Sequence, residues 1–187
     1  MLVTQRGFMR ELVQTLILAL ALGAALAPPA RAAESLAAQE QALLHRKIDL
    51  RGIEQARGAT FVPFKAPKAP LRVVHLWGVT CKPCIEELPV LRRIVQGWAT
   101  EPRVRFLTLA DPPTENEREL VKKLYVGEGP ALRTTSDALR TALNTGAVPL
   151  TLLVDQEGVI RQAFVGTIGA RGPELAESIN RLLRVLR

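Results

Sequence analysis

Trp77-Gly78-Val79-Thr80-Cys81-Lys82-Pro83-Cys84-Ile85-Glu86-Glu87-Leu88-Pro89 holds the two cysteines of the chain, three positions apart. Upstream, Val73-Val74-His75-Leu76-Trp77 is an apolar run that reads as a buried strand. Downstream, Ile85, Leu88, Leu91, Ile94, Val95 and Trp98 recur at helical spacing, with Glu86, Glu87, Arg92, Arg93 and Gln96 between them. The cysteines therefore fall on a strand-to-helix turn, with Cys81 at the helix N-terminus and Cys84 one turn inside it. The positive end of a helix stabilises a thiolate, and Lys82 adds a full charge beside it. A thiol pKa near 8.5 falls by one or several units in such settings, at about 1.4 kcal/mol each. The expectation is an exposed, nucleophilic Cys81 and a shielded Cys84 that resolves any disulfide Cys81 forms.

Plainer readings fit less well. A structural bridge closing four residues would constrain the unfolded chain by only roughly 2 kcal/mol. Half of a zinc site needs further ligands, yet His45 and His75 lie thirty positions apart with no second metal-type cluster. Two inert thiols would need neither Pro83 between them nor a helix start. Redox chemistry of a Cys81–Cys84 disulfide is the reading carried forward, with no metal and no cofactor.

The first thirty-odd residues read as an address. Arg6 and Arg10 give a basic start, Leu16 to Ala27 is an apolar block of twelve, Pro28-Pro29 breaks it, and Ala30-Arg31-Ala32 fits a cleavage site. Twelve residues are short for a membrane span of about 20. Residues 1–32 are expected to be a signal peptide, or, if retained, an anchor that alone would bring the chain into membrane contact. Removing them, with three arginines and one glutamate, lowers the formal charge from +7 to +5 and leaves 155 of 187 residues. That suffices for one domain with a proper core. The remaining positive charge is dispersed and carries no aromatic interleaving or nucleic-acid motif, so no nucleic-acid partner is expected. The implied location is periplasmic or otherwise extracytoplasmic, where a dithiol is oxidised unless a partner keeps it reduced.

Along the rest, Glu34 to Lys47 reads as a helix and Pro63 to Pro70 as a stiff extended connector, so 33–70 is expected to be a helical and Pro-rich N-terminal extension. Val104 to Ala110 is a second buried strand, ended by Asp111-Pro112-Pro113. Thr114 with Glu117 caps a helix running to about Tyr125, stopped by Gly127 and Gly129, and Ser136 caps a shorter one ending at Asn144-Thr145-Gly146. Leu150 to Val154 and Val159 to Val165 form a hairpin about the Asp155-Gln156-Glu157-Gly158 turn. Gly172-Pro173-Glu174 opens a last amphipathic helix. Strand, helix, strand, helix, hairpin and helix make one layered α/β domain.

The Trp77–Pro89 stretch, with tryptophan four before the first cysteine, CxxC, and ExP three residues after it, resembles the exported TlpA-like oxidoreductases of the thioredoxin superfamily. Gly146-Ala147-Val148-Pro149-Leu150-Thr151-Leu152-Leu153-Val154-Asp155-Gln156-Glu157-Gly158 is similar to that family's cis-proline strand and following hairpin. The resemblance covers about Val73 to Arg187. It implies a thioredoxin-like three-layer α/β/α sandwich with a mixed central sheet over 71–187. It also implies that Pro149 is cis and packed beside Cys81, that the Val148 backbone pairs with an incoming peptide, and that Trp77 walls the active-site surface; the alternatives are an ordinary trans proline at a strand start and a plain core tryptophan. Departures are Thr80 where the family has tryptophan, His75 where it has a carboxylate or asparagine, and an unmatched segment before Val73.

Glu87 shares a helix face with Cys84 and could take the proton Cys84 must lose; the alternative is a solvated glutamate. His75 could act similarly from the strand beneath, or be a satisfied core histidine. The function implied is thiol-disulfide exchange, reducing a disulfide-containing client protein in cytochrome c maturation or similar work, with electrons from a redox partner protein. The alternatives are a disulfide donor and, on the two thiolates alone, a Cu(I)-binding chaperone.

Overall fold

The computed structural model describes residues 28–58, 60–110, 118–126, 131–134 and 148–186. The chain divides into two compact units, 1–38 and 39–187, and the second carries the sheet. Four helices lie in the described residues: α1 (Pro28–Leu43), α2 (Lys82–Gly97), α3 (Arg118–Leu124) and α4 (Gly172–Val185). With them are strands β1 (Ile53–Arg57), β2 (Thr60–Pro63), β3 (Leu71–Trp77), β4 (Val104–Ala110), β5 (Leu132–Thr134), β6 (Leu150–Asp155) and β7 (Ile160–Val165). Among the described residues, no helix is long and apolar enough to cross a membrane.

The strands form one mixed sheet ordered β2-β1-β5-β4-β3-β6-β7. β3 and β4 run parallel, and β6 joins β3 antiparallel on the other side. Both central strands are buried on their two faces, which is why their sequences are continuous apolar runs. One face of the sheet packs against α2 and α4: Leu71, Val73, Phe106 and Phe164 meet Leu88, Leu91, Leu175 and Ile179. On the other face, Val74, Leu76, Leu107 and Leu152 pack with Leu43, Ile48, Leu50 and Phe64. The α/β sandwich expected from the resemblance is thus present.

Several elements depart from the sequence reading. The helix expected over Glu34–Lys47 runs instead over Pro28–Leu43. Proline suits a helix start because its missing N–H would have no intrahelical partner there, so the Pro28-Pro29 pair opens a helix. Past Leu43 the backbone turns at His45, with φ 64°. Residues 45–48 then lie as an arm across the β6–β7 turn. His45 N–H donates to Ile160 O at 2.9 Å, Ile160 N–H to Arg46 O at 2.9 Å, and Ile48 N–H to Gly158 O at 2.9 Å. Those long-range bonds override a local helical preference. At the far end of β7, the Glu40 carboxylate accepts the Val165 amide at 2.8 Å and pairs with Arg171.

The expected extension over 33–70 also needs correction, because it supplies the β1–β2 hairpin, which joins β5 in the same sheet. β1, β2 and β5 are five, four and three residues long. Only Phe64 to Pro70 remains an irregular connector. The leader over 1–27, the Asp111-Pro112-Pro113 stop, the Thr114–Glu117 cap, the Gly127 and Gly129 stops and the Ser136–Asn144 helix lie outside the described residues.

Candidate active site

Strand β3 ends at Trp77, and Gly78 to Thr80 carry the chain into α2. Cys81 is the N-cap, in extended backbone, and Pro83 sits in the first turn. A Cβ on Gly78 would stand 3.3 Å from Cys81 Cβ and 3.9 Å from Val148 Cγ2. Glycine there lets the cysteine turn and the Val148 segment leading into β6 approach closely. Cys81 and Cys84 form a disulfide with their Cα atoms 5.2 Å apart. The Cys84 amide donates to Cys81 Sγ at 3.3 Å, one of the helix-start donors that would hold a thiolate once the bond opens. Cys81 is partly exposed and Cys84 is wholly buried.

The surroundings are asymmetric. Outside stand Thr80, Lys82, Pro83 and Glu86, all exposed, with Lys82 Nζ 3.7 Å from Glu86 Oε1. Across the turn, Val148 O lies 3.9 Å from Cys81 Sγ, and the Val148–Pro149 peptide bond is cis. Beneath lies Trp77, with no exposure, packed with Val79, Cys84, Ala110, Val121 and Ala131. Trp77 is therefore a floor under the disulfide and not a wall of the surface. As the last residue of β3 it points to the helix face of the sheet, as Val73 and His75 do.

Glu87 is no solvated surface residue; it is 3% exposed, inside the α2 interface. Its Oε2 accepts the Ile168 amide at 2.7 Å, from the loop after β7. Its Oε1 faces His75 Nε2 at 3.5 Å, while His75 Nδ1 lies 2.9 Å from Thr151 Oγ1 on β6. Burial pushes Glu87 up to about 7, against the opposing pull of the Ile168 N–H. Burial likewise pushes His75 down to about 4, so the ring is neutral at physiological pH. The two candidate proton acceptors are thus neighbours in one buried pocket, one helical turn from Cys84.

Thr151 and Ile168 carried no assigned role in the sequence. Thr151 stands in register with His75 across the β3–β6 ladder, a pairing that appears only once the sheet is assembled. Ile168 acts through its backbone amide, which leaves no side-chain signal. Among the described residues, no set of three or more His, Cys, Asp or Glu side chains converges on a metal position.

In structure, the chain matches a Chlorobium tepidum chain described as a thiol:disulfide interchange protein DsbE, with TM-score 0.60 over 75% of this chain and 99% of that one, at 13% identity. It also matches a secreted Mycobacterium tuberculosis disulfide oxidoreductase homologous to E. coli DsbE, with TM-score 0.52 over 72% and 99% of the two chains, at 19% identity. The chain has a thioredoxin-like fold. In sequence, this thioredoxin-fold chain is 24% identical over 96 residues to the thiol-disulfide oxidoreductase ResA of Geobacillus kaustophilus, which is 51% of this chain. It spans about half the length of that relative, 54%. No protein-family profile matches the chain.

Proposed function

We propose that this thioredoxin-fold chain is an exported protein thiol-disulfide oxidoreductase that reduces disulfides in client proteins, as in cytochrome c maturation or similar work. The observation that carries the reading is the ordering of its chemistry by depth. A partly exposed Cys81 caps a helix, a buried Cys84 lies one turn in, and a carboxyl held near neutrality lies one turn further.

In the reducing direction, the Cys81 thiolate attacks one sulfur of the client disulfide, and the other leaves as a thiolate. Cys84 then loses its proton to Glu87 and attacks Cys81 Sγ. The mixed disulfide breaks, the client's second sulfur departs with the electron pair, and the Cys81–Cys84 disulfide remains. A base with a pKa near the working pH suits this step, because it is both free to accept a proton and able to return it. The cis Val148–Pro149 segment beside Cys81 Sγ offers its backbone to an extended client chain. Re-reduction requires an electron-donating partner protein. Membrane contact would come only through the N-terminal segment, were it retained.

The test is a redox titration against glutathione. A reductant lies nearer about −270 mV, the thioredoxin end, than the strongly oxidising end near −120 mV. That gap of 150 mV is roughly 7 kcal/mol for two electrons. A potential above about −160 mV, with catalysed oxidation of an unfolded dithiol, would instead make the chain a disulfide donor.

A further inference from the structure

Among the described residues, two buried atoms of this site have no partner but each other. Glu87 Oε1 and His75 Nε2 make no conventional hydrogen bond and face one another at 3.5 Å. The remaining polar atom of each is committed: Glu87 Oε2 to the Ile168 amide, His75 Nδ1 to the Thr151 hydroxyl. One hydrogen between the two satisfies both, and only one fits.

Two arrangements achieve this. With Glu87 ionised, the hydrogen is on Nε2 and points at Oε1; Nδ1 is then a bare acceptor, and the Thr151 hydroxyl donates to it. With Glu87 protonated, the hydrogen is on Oε1 and points at Nε2; the ring then carries its own hydrogen on Nδ1 and donates it to Thr151. A hydroxyl plays both parts because it is donor and acceptor at once. Ile168 is an obligate donor, so Oε2 stays an acceptor and the added proton belongs on Oε1.

We propose that His75 and Glu87 form a one-proton site in which His75 is a positioning residue whose ring tautomer reverses each time Glu87 takes or returns a proton. The inference deepens the proposed exchange reaction, and rests on it for the source of that proton, Cys84. In the resolving step the proton leaves Cys84 Sγ and ends on Glu87 Oε1. The sulfur's electron pair forms the bond to Cys81 as the bond from Cys81 to the client sulfur breaks. The imidazole carries one hydrogen before and after, on Nε2 and then on Nδ1: it releases the first to solvent and takes the second from solvent as the pocket opens transiently, so the proton count is unchanged.

The surroundings leave few competitors. α2 presents Cys84 and Glu87, β3 His75 and β6 Thr151. In β4, Thr108 stands beside His75 in register, with its hydroxyl given to Val126 O. Ser178 of α4 is bonded by Arg181, and Arg171, Glu174 and Glu40 pair among themselves. Among the described residues, the other buried carboxylate is Asp155, which ends β6 and is paired with Arg161. Burial holds the ring neutral and places the carboxyl near 7, so between pH 5 and 8 the carboxyl is the group that changes charge.

The test is two-bond proton–nitrogen NMR of the imidazole in the full chain, labelled with 15N, from pH 5 to 8.5 in both redox states. The expected result is a neutral His75 throughout, passing from the Nδ1–H to the Nε2–H tautomer with one midpoint near 7 as pH rises. In Glu87→Gln, the amide group donates to Nε2 at every pH, so the ring should stay in the Nδ1–H form. A single tautomer across the wild-type titration, or an imidazolium appearing near 6.5, overturns the proposal without any variant being made. Disulfide exchange is followed on the same samples. Tautomer reversal without exchange counts against the proposed function alone, and exchange with a fixed tautomer counts against the proton site alone.

Discussion

His75 Nε2 stands 3.5 Å from Glu87 Oε1, the two side chains 1% and 2% exposed, so two titratable groups share one buried space. Their effects on stability oppose. Glu87 is raised from 4.5 to about 7, so the folded state holds more protons in that window and stability falls as pH rises through it. His75 is lowered from 6.5 to about 4, so its contribution is present above 6.5 and lost as pH falls through 4. Each is worth roughly 3 kcal/mol over its window. Urea unfolding of the wild type should therefore be nearly flat between pH 4.5 and 6.5. Glu87→Gln should gain stability with rising pH there, and His75→Asn should lose it. A Glu87→Gln curve that falls with pH would overturn the assignment.

Cys81 should react first. In the reduced protein at neutral pH, an alkylating reagent should label it well before Cys84, which has no exposed surface. Cys84→Ser should accumulate a mixed disulfide through Cys81, and Cys81→Ser almost none. Mass spectrometry of the labelled peptides decides it; prior labelling of Cys84 would reverse the roles.

Glu87→Gln should slow decay of the mixed disulfide by about 100-fold, the lower end of general-base effects. The wild-type rate should rise with pH through about 7, as the carboxyl loses its proton, and the variant should lose that inflection. Rapid-quench kinetics measure both. A variant that keeps rate and inflection would assign the proton to another group.

Gly158 has φ +86°, and a Cβ there would stand 2.8 Å from Ile48 O. Gly158→Ala should cost about 2 kcal/mol or more, from left-handed backbone strain together with displacement of the arm. Urea unfolding checks it: a loss below 0.5 kcal/mol would show that the arm yields freely.

The central strands, the cysteine helix, the β6–β7 hairpin and the last helix were legible because each is a long, strongly periodic segment with clear punctuation. Cys81 and Cys84 were legible because two thiols at a helix start have few other uses. β1, β2 and β5 were not, because they are short and half-buried, and their pairing is decided by partners distant in the chain. Residues 45–47 of the arm carry a helical signal because their Ala- and Leu-rich approach is locally helical, while the arm's hydrogen bonds go to Gly158 and Ile160. Glu87 and His75 stand out in the sequence separately, one by its helical spacing from Cys84 and the other by its place in an apolar strand. That they touch depends on the angle at which α2 crosses β3, which neither residue's neighbours in sequence encode.

The arm also changes how the sheet meets other chains. β7 is an outermost strand, and an outermost strand offers unpaired main-chain groups on which a foreign strand can grow. Here the amide and carbonyl of Ile160 are already taken by residues 45 and 46, and the Val165 amide by the Glu40 carboxylate. At the opposite border β2 ends in Pro63, which has no amide hydrogen to give. Removing residues up to Lys47 would therefore uncover a template for strand addition, and its signature would be self-association and turbidity before any loss of helix or sheet.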